Sequence, residues 1–316
     1  MKRLICLFLL AAGACAQTSP SVPPGSGEKQ QVLWQKLAAQ IDEADQDLDG
    51  VLGVAILDLT TKQTFLLHAD DVFPQASSIK LAVLAELYHQ AEQSKQGMPN
   101  RAKLTDVYTV QSSDLVPDSD IMGGLTPGTT RVTNRDLATM MVAVSDNSAT
   151  NVLIDRVGMD NVNALMASLG LSHTRLRRKM MDLKAASEGR ENISTPGEMM
   201  NLLADLYGGK VLSKEMTEDF FRMLSTHKES FIPRGIPDGV RIANKPGELE
   251  AVRNDSAIVY AANRPYVICV MTTYLKNERV GEETISRISA AAYQMFDRLG
   301  RASEYGRVVS PSNSKP

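Results

Sequence analysis

Strand-forming sequence occurs at two widely separated places in this chain, and that separation restricts the fold more than any other feature. Residues 51–59 and 64–68 are apolar, branched-rich runs around the polar turn Thr60-Thr61-Lys62-Gln63, the pattern of a hairpin. Comparable runs return at 240–244, 256–262 and 265–274, and helical periodicity dominates the middle. Thr195-Pro196-Gly197-Glu198 has the form of a capping box with proline at the first helical position, opening a helix through Leu206. Helical patterns also bracket the strands. Leu33, Leu37 and Ile41 share one face of a helix starting at Glu28, and residues 282–299 form a closing amphipathic helix. Helix, hairpin, long helical insert, three strands and helix predict an α+β chain. A mostly antiparallel sheet is covered by the terminal helices, with an all-helical subdomain at about 78–224 inserted after the second strand.

The ends have a different character. Lys2 and Arg3 precede a short apolar run from Leu4 to Ala11, the form of a secretory leader too short to be a permanent membrane span. Cleavage after Ala16 fits the small-x-small rule through Ala14 and Ala16, giving a periplasmic or secreted protein. Gly13-Ala14-Cys15 also partly fits lipoprotein processing at Cys15. Residues 17–29 form a spacer, rich in Ser and Pro up to Gly27, residues 30–300 the expected folded domain, and 301–316 a frayed tail. With Cys6 and Cys15 in the leader, Cys269 is left in an apolar run as a buried strand cysteine, and no disulfide framework exists. Stability must come from a core, and roughly 300 residues suffice for one large domain or two intergrown subdomains. The formal charge of −3 gives no footprint for nucleic acid.

A serine three residues before a lysine occurs four times, at Ser26/Lys29, Ser77/Lys80, Ser225/Lys228 and Ser312/Lys315. Context separates them. Ser26 and Ser312 lie in Ser/Pro-rich segments and Ser225 near a helix end, whereas Ser77 begins the apolar-periodic run Ile79, Leu81, Val83, Leu84, Leu87. A serine in the first turn of a buried helix gains from the positive end of the dipole, and Lys80 can take its proton if burial lowers the lysine pKa. An N-cap serine beside a solvated lysine is the bland alternative. Ser145-Asp146-Asn147 interrupts two apolar helical runs. It is compatible with a capped helix junction or with a second hydroxyl that relays a proton beside an amide that holds substrate. Lys245-Pro246-Gly247 follows a strand-like run. It is either a Pro-Gly turn or an edge strand on a cleft, offering the Lys245 charge to a carboxylate and the Glu248 N–H to an oxyanion. Asp45-Gln46-Asp47-Leu48-Asp49-Gly50 opens like a calcium loop, but Ile56 stands where the bidentate glutamate belongs. His68, His89, His173 and His227 have no metal-ligand spacing, so no metal or cofactor is expected.

In this order and at these separations, from about residue 30 to 300, the chain resembles class A β-lactamases and their penicillin-recognising serine-hydrolase relatives. The resemblance implies a β-lactamase/transpeptidase-like fold and a monomer acting on β-lactams or D-Ala-D-Ala-like substrates. It implies Ser77 as nucleophile, Lys80 as proton partner and Ser145 as relay. Asn147, Lys245, Gly247 and Glu248 become substrate-binding positions, with the N–H groups of Ser77 and Glu248 as oxyanion hole. Arg253 is similar to the arginine that many members place beside the lysine. Two departures stand out. Pro246 replaces an expected hydroxyl residue. In Arg178-Lys179-Met180-Met181-Asp182-Leu183-Lys184, Met180 occupies the place of the glutamate that orients deacylating water, and Lys184 that of an asparagine. Asn192 stands for the aspartate that usually pairs with the arginine, and Asp182, Glu188 and Glu191 are the nearby carboxylates a shifted loop would recruit. The expected activity is hydrolysis through an acyl-Ser77 intermediate, weak without that glutamate. The alternatives are a D-amino-acid peptidase or esterase, or a receptor acylated once and not released.

Overall fold

A computed structural model of the chain describes residues 27–303 and 305–308, so the expected leader and most of the spacer lie outside the described residues. Helix α1 (Glu28–Asp47) buries Trp34, Leu37, Ile41 and Ala44 on one face. Strands β1 (Val51–Asp58) and β2 (Thr64–Leu67) form the expected hairpin, with Val54 opposite Leu67 and Leu57 opposite Thr64. The Asp58 carboxylate closes its turn by accepting from Thr60 N at 2.8 Å and from the Thr61 hydroxyl at 2.8 Å.

The helical insert follows. A short strand β3 (Phe73–Pro74) leads through a 3₁₀ turn (Ala76–Ile79) into α2 (Lys80–Lys95), which is buried without interruption from Lys80 to Tyr88. A helix buried on every side must lie inside other elements. Its neighbours include α3 (Asn134–Ala143), α4 (Asn147–Val157) and α5 (Met159–Ser168), with the small pair β4 (Val107–Thr109) and β5 (Arg131–Thr133) beside them. A loop carrying α6 (Leu183–Ser187) returns to β6 (Ile193–Ser194), which pairs with β3. Helix α7 (Pro196–Tyr207) starts where the capping motif placed it, with Glu198 N donating to Thr195 Oγ1 at 3.0 Å. The box is only half formed. The Glu198 carboxylate turns instead to the backbone N–H groups of His173 and Thr174, at 2.8 and 2.6 Å, and so fastens the preceding loop.

After α8 (Lys214–Leu224) and the short α9 (Phe231–Arg234), the chain forms β7 (Ile242–Leu249), β8 (Val252–Val259) and β9 (Tyr266–Thr273), then α10 (Glu278–Arg301). The five main strands make one antiparallel sheet in the order β2-β1-β9-β8-β7. Alternation divides it into two faces. Leu52, Val54, Ile56, Ile268 and Val270 pack under α1 and α10, while Ala55, Leu57, Val267, Cys269 and Met271 join the core of the helical insert. Cys269 is a free thiol, buried as expected.

Two expected boundaries move. Strand β7 runs on through Lys245-Pro246-Gly247, so the motif lies within a strand rather than in a turn. Proline is tolerated because β7 is the outer strand, and successive amides alternate between edges. The closing helix starts at Glu278, capped by the Asn277 side chain, and the chain beyond it folds back to pair Ala302 with Val308.

The outer layer is fixed by one aromatic cluster: the Phe296 ring stacks on Tyr266 at 4.1 Å between centroids and meets Trp34 edge-on at 5.6 Å. Phe296→Ala is expected to lower the unfolding free energy by about 3–5 kcal/mol, from lost burial and a cavity at the junction of α1, α10 and β9. Urea unfolding followed by circular dichroism measures it, and a loss below about 1 kcal/mol would show that the stack does not hold α10 to the sheet.

Candidate active site

A cleft of about 700 Å³ opens between β7, the 3₁₀ turn and the helical insert. Ser77, Ser145, Asn147, Lys245 and Glu248 line it, and Lys80 lies beneath, almost wholly buried. Each position has a local cause. Ser77 sits on the 3₁₀ turn, after Ala76 at φ 48°, rather than on the first turn of α2 itself. Ser145 is held at φ 58° between α3 and α4. Asp146 caps α4 by accepting from Ala149 N at 2.9 Å and also binds Met122 N at 2.8 Å. The triplet is therefore both a capped helix junction and part of the cleft. Gly247 lets β7 touch the 3₁₀ turn: a Cβ there would stand 2.6 Å from the Gln75 carbonyl oxygen and 2.7 Å from Ser78 Oγ. Ala76, Asp118, Ser145 and Met181 all line the cleft with left-handed backbones, the kind of strain that collects where a site must be pre-shaped.

Hydrogen bonding defines what these groups can do. Lys80 Nζ donates to Ser145 Oγ at 2.9 Å, to Asn147 Oδ1 at 2.9 Å and to the Ser145 carbonyl. An ammonium has three donors, so the charged form of Lys80 is saturated by the triplet. Losing one proton leaves a neutral amine with a lone pair, the form in which Lys80 can act as a base. Burial, foremost, and the nearby Lys245 charge push the Lys80 pKa well below the usual lysine value, against the opposing pull of Asp146 and Asp118. Lys245 Nζ donates to the same Ser145 Oγ at 3.1 Å and to the Pro246 carbonyl at 3.1 Å, leaving one donor for a substrate. Burial, then Lys228, brings Lys245 down to about 7. With both acceptor positions of Ser145 Oγ filled by lysines, its own proton is free to be donated into the cleft. Asn147 Nδ2 makes only a long contact, 3.4 Å to the Pro117 carbonyl, and keeps a donor for substrate.

Arg253 is placed elsewhere. Its Nε donates to Glu282 on α10 at 3.1 Å and its Nη1 to the carbonyls of Leu249 and Val252, both at 2.9 Å. Strand alternation turns it to the α10 side of the sheet, and it does not line the cleft. Ser225 is also structural. Its hydroxyl donates to the Phe221 carbonyl at 2.7 Å and accepts from Arg241 at 3.0 Å.

Met180 lines the cleft, and Asn151 clamps its backbone in both directions: Met180 N donates to Asn151 Oδ1 at 2.8 Å, and Asn151 Nδ2 to the Met180 carbonyl at 3.0 Å. The three loop carboxylates are engaged elsewhere. Asp182 caps α6 through Ala185 N, Glu188 pairs with Arg190, and Glu191 accepts from Arg178 Nε and Nη2 at 3.0 and 2.7 Å. None of them lines the cleft, and Lys184 is exposed outside it. The Arg178 partner is thus Glu191, while Asn192 binds the Arg177 and Arg178 amides. Sequence reading missed Asp118 and Lys228 as cleft residues. Asp118 lies in a polar turn with no motif, and Lys228 belonged to a serine–lysine pair whose serine points elsewhere.

A model of the Beta-lactamase enzyme family matches residues 35–296. A β-lactamase from Sphaerobacter thermophilus has 32% sequence identity and a TM-score of 0.74, covering 83% of this chain and 97% of its own. β-Lactamase SME-1 of Serratia marcescens is 29% identical over 274 residues, 82% of this chain and 89% of that protein. A leucine-to-glutamate variant of PBP-A, solved as an acyl-enzyme complex with penicillin G, has 25% identity and a TM-score of 0.75, covering 84% of this chain and 97% of its own.

The two lysines predict opposite limbs of a pH profile. For a carboxylate-bearing acyl donor, kcat/KM should rise as Lys80 loses its proton and fall as pH passes above about 7, where free Lys245 loses its charge. The neutral ester of the same donor should lack the falling limb. Superimposable profiles would show that Lys245 does not hold an anion.

Proposed function

The chain belongs to the class A β-lactamase family, and we propose that Ser77 is acylated by β-lactams and that the acyl-enzyme is hydrolysed slowly. The observation that supports this is the convergence of Lys80 and Lys245 on Ser145 Oγ beside Ser77. Lys80 as a neutral amine takes the Ser77 proton while Ser77 Oγ bonds to the lactam carbonyl carbon. The amide N–H of Glu248, on the same outer edge of β7 as Pro246, and that of Ser77 face the developing oxyanion. As the C–N bond breaks, Ser145 gives its proton to the leaving nitrogen and recovers one from Lys80 across their 2.9 Å bond. The Lys245 charge holds the substrate carboxylate.

Deacylation needs a base for water. The Met180 thioether cannot take a proton from water, and the carboxylates of its own loop are committed to α6, Arg190 and Arg178. General-base assistance contributes about 10²–10⁴-fold, the size of deficit this site should show. A D-peptide or ester hydrolase differs from this reading in its own acyl donor, meeting β-lactams only as mimics, and a receptor differs in keeping its acyl group.

Intact-mass kinetics with a chromogenic cephalosporin tests the proposal. Wild type should form one adduct that decays slowly over repeated turnovers. Ser77→Ala should form none, while Ser225→Ala should behave as wild type; labelling that survives in the Ser77 variant refutes the assignment. Because Asn151 fixes the Met180 backbone, Met180→Glu should accelerate adduct loss by about 10²–10⁴-fold. Fast decay in wild type that stops on Asp118→Asn or Glu229→Gln would instead identify another cleft carboxylate as the base.

A further inference from the structure

We propose that Lys228 is the second cation of the anion-holding corner beside Lys245, the place that Arg253 leaves vacant, and that it selects acyl donors carrying a carboxylate. The inference rests on Ser77 being acylated, as proposed above. Lys228 and Lys245 line the same cleft as Ser77 and Ser145. Among the described residues the Lys228 ammonium makes one hydrogen bond, to the Leu224 carbonyl at the end of α8, at 2.8 Å. Of its three donors two remain, and Lys245 keeps one. A planar carboxylate with two oxygens can use donors from both.

The charge balance of the corner points the same way. Lys228 is the main charged group that depresses Lys245, and burial lowers Lys228 itself to about 8. Asp255, which opposes both, is wholly buried and already accepts from Phe231 N at 3.1 Å, Ile232 N at 2.9 Å and Asn244 Nδ2 at 2.9 Å. Its position lets it offset part of the lysine charge without occupying their free donors. Glu248, the other carboxylate acting on Lys245, carries an exposed side chain that lies 4.0 Å from Arg253. Two ammonium groups with unused donors at the wall of a cleft are stabilised by an incoming anion. Capping of the α8 carbonyl by Lys228 explains one donor and leaves the shared cleft wall unexplained.

The test uses the full protein and two acyl donors, benzylpenicillin and its neutral methyl ester, with Ser77 acylation followed by intact mass. Lys228→Gln keeps a donor for the Leu224 carbonyl while removing the charge, and Lys228→Arg restores the charge. A charge-assisted hydrogen bond corresponds to about a 10- to 100-fold change. Lys228→Gln should therefore lower the second-order acylation rate constant for the acid by that factor, through weaker binding, with the limiting acylation rate unchanged. The ester should change less than about twofold, and Lys228→Arg should recover most of the loss. Equal losses on acid and ester, or no loss on either, overturn the role of Lys228 while leaving the Ser77 assignment standing. If wild type forms no adduct with either donor, the Ser77 reading fails and this inference falls with it.

Discussion

The rest of the site depends on two buried lysines sharing one serine oxygen. Taking an ammonium out of water costs several kcal/mol unless it is paired, and among the described residues neither Lys80 nor Lys245 has a carboxylate in hydrogen-bond contact. Their donors go to a hydroxyl, a side-chain amide and main-chain carbonyls, which hold the charge weakly enough for it to be given up. Lys245 also disfavours the charged form of Lys80, and Lys228 that of Lys245. The consequence is a pair of amines of lowered proton affinity, joined through the Ser145 hydroxyl by hydrogen bonds.

Holding that arrangement requires the strand and the helical insert to meet at close quarters. Gly247 brings β7 against the 3₁₀ turn, and the left-handed backbones of Ala76 and Ser145 aim both serines into the same space. Such backbone costs of about 1–3 kcal/mol each are sustained by what surrounds them. Asp146 fastens the Ser145 junction to α4 and to Met122, while α2 is buried on all sides beneath Ser77. The two cores, one on each face of the sheet, supply the rigidity that makes the strained residues the lowest-energy choice.

The loop carrying Met180 is a fixed scaffold. Asn151 grips both backbone groups of Met180, so the position is as well defined as any in the cleft, yet its side chain has no basic atom. The Arg178–Glu191 pair and the Asn192 amide fix the loop from the other side. In the reaction proposed above, acylation and release of the acyl group are separable: the first uses the lysine–serine array, and the second depends on one side chain in a fixed loop.

Much of this was written in the sequence. Period-two and helical patterning gave the hairpin, the three later strands and the terminal helices, because each element buries one face and burial is recorded residue by residue. Ser77, Lys80, Ser145, Asn147 and Lys245 were legible through the order and separation of three motifs, each weak alone, and through the family resemblance that this order carries. The sequence also showed Met180 as a departure. What it could not carry was anything that depends on direction or on distant partners. Arg253 looked like a cleft residue until strand alternation turned it towards Glu282. The three loop carboxylates looked available until their hydrogen bonds were taken by Ala185, Arg190 and Arg178. Lys228 belonged to a serine–lysine pair that had been set aside, and only the packing of α8 against β7 brings it to Lys245. Secondary structure is determined by neighbours in the chain, whereas a shared hydrogen bond or a depressed lysine is determined by neighbours in space. Only the tertiary fold decides which those are.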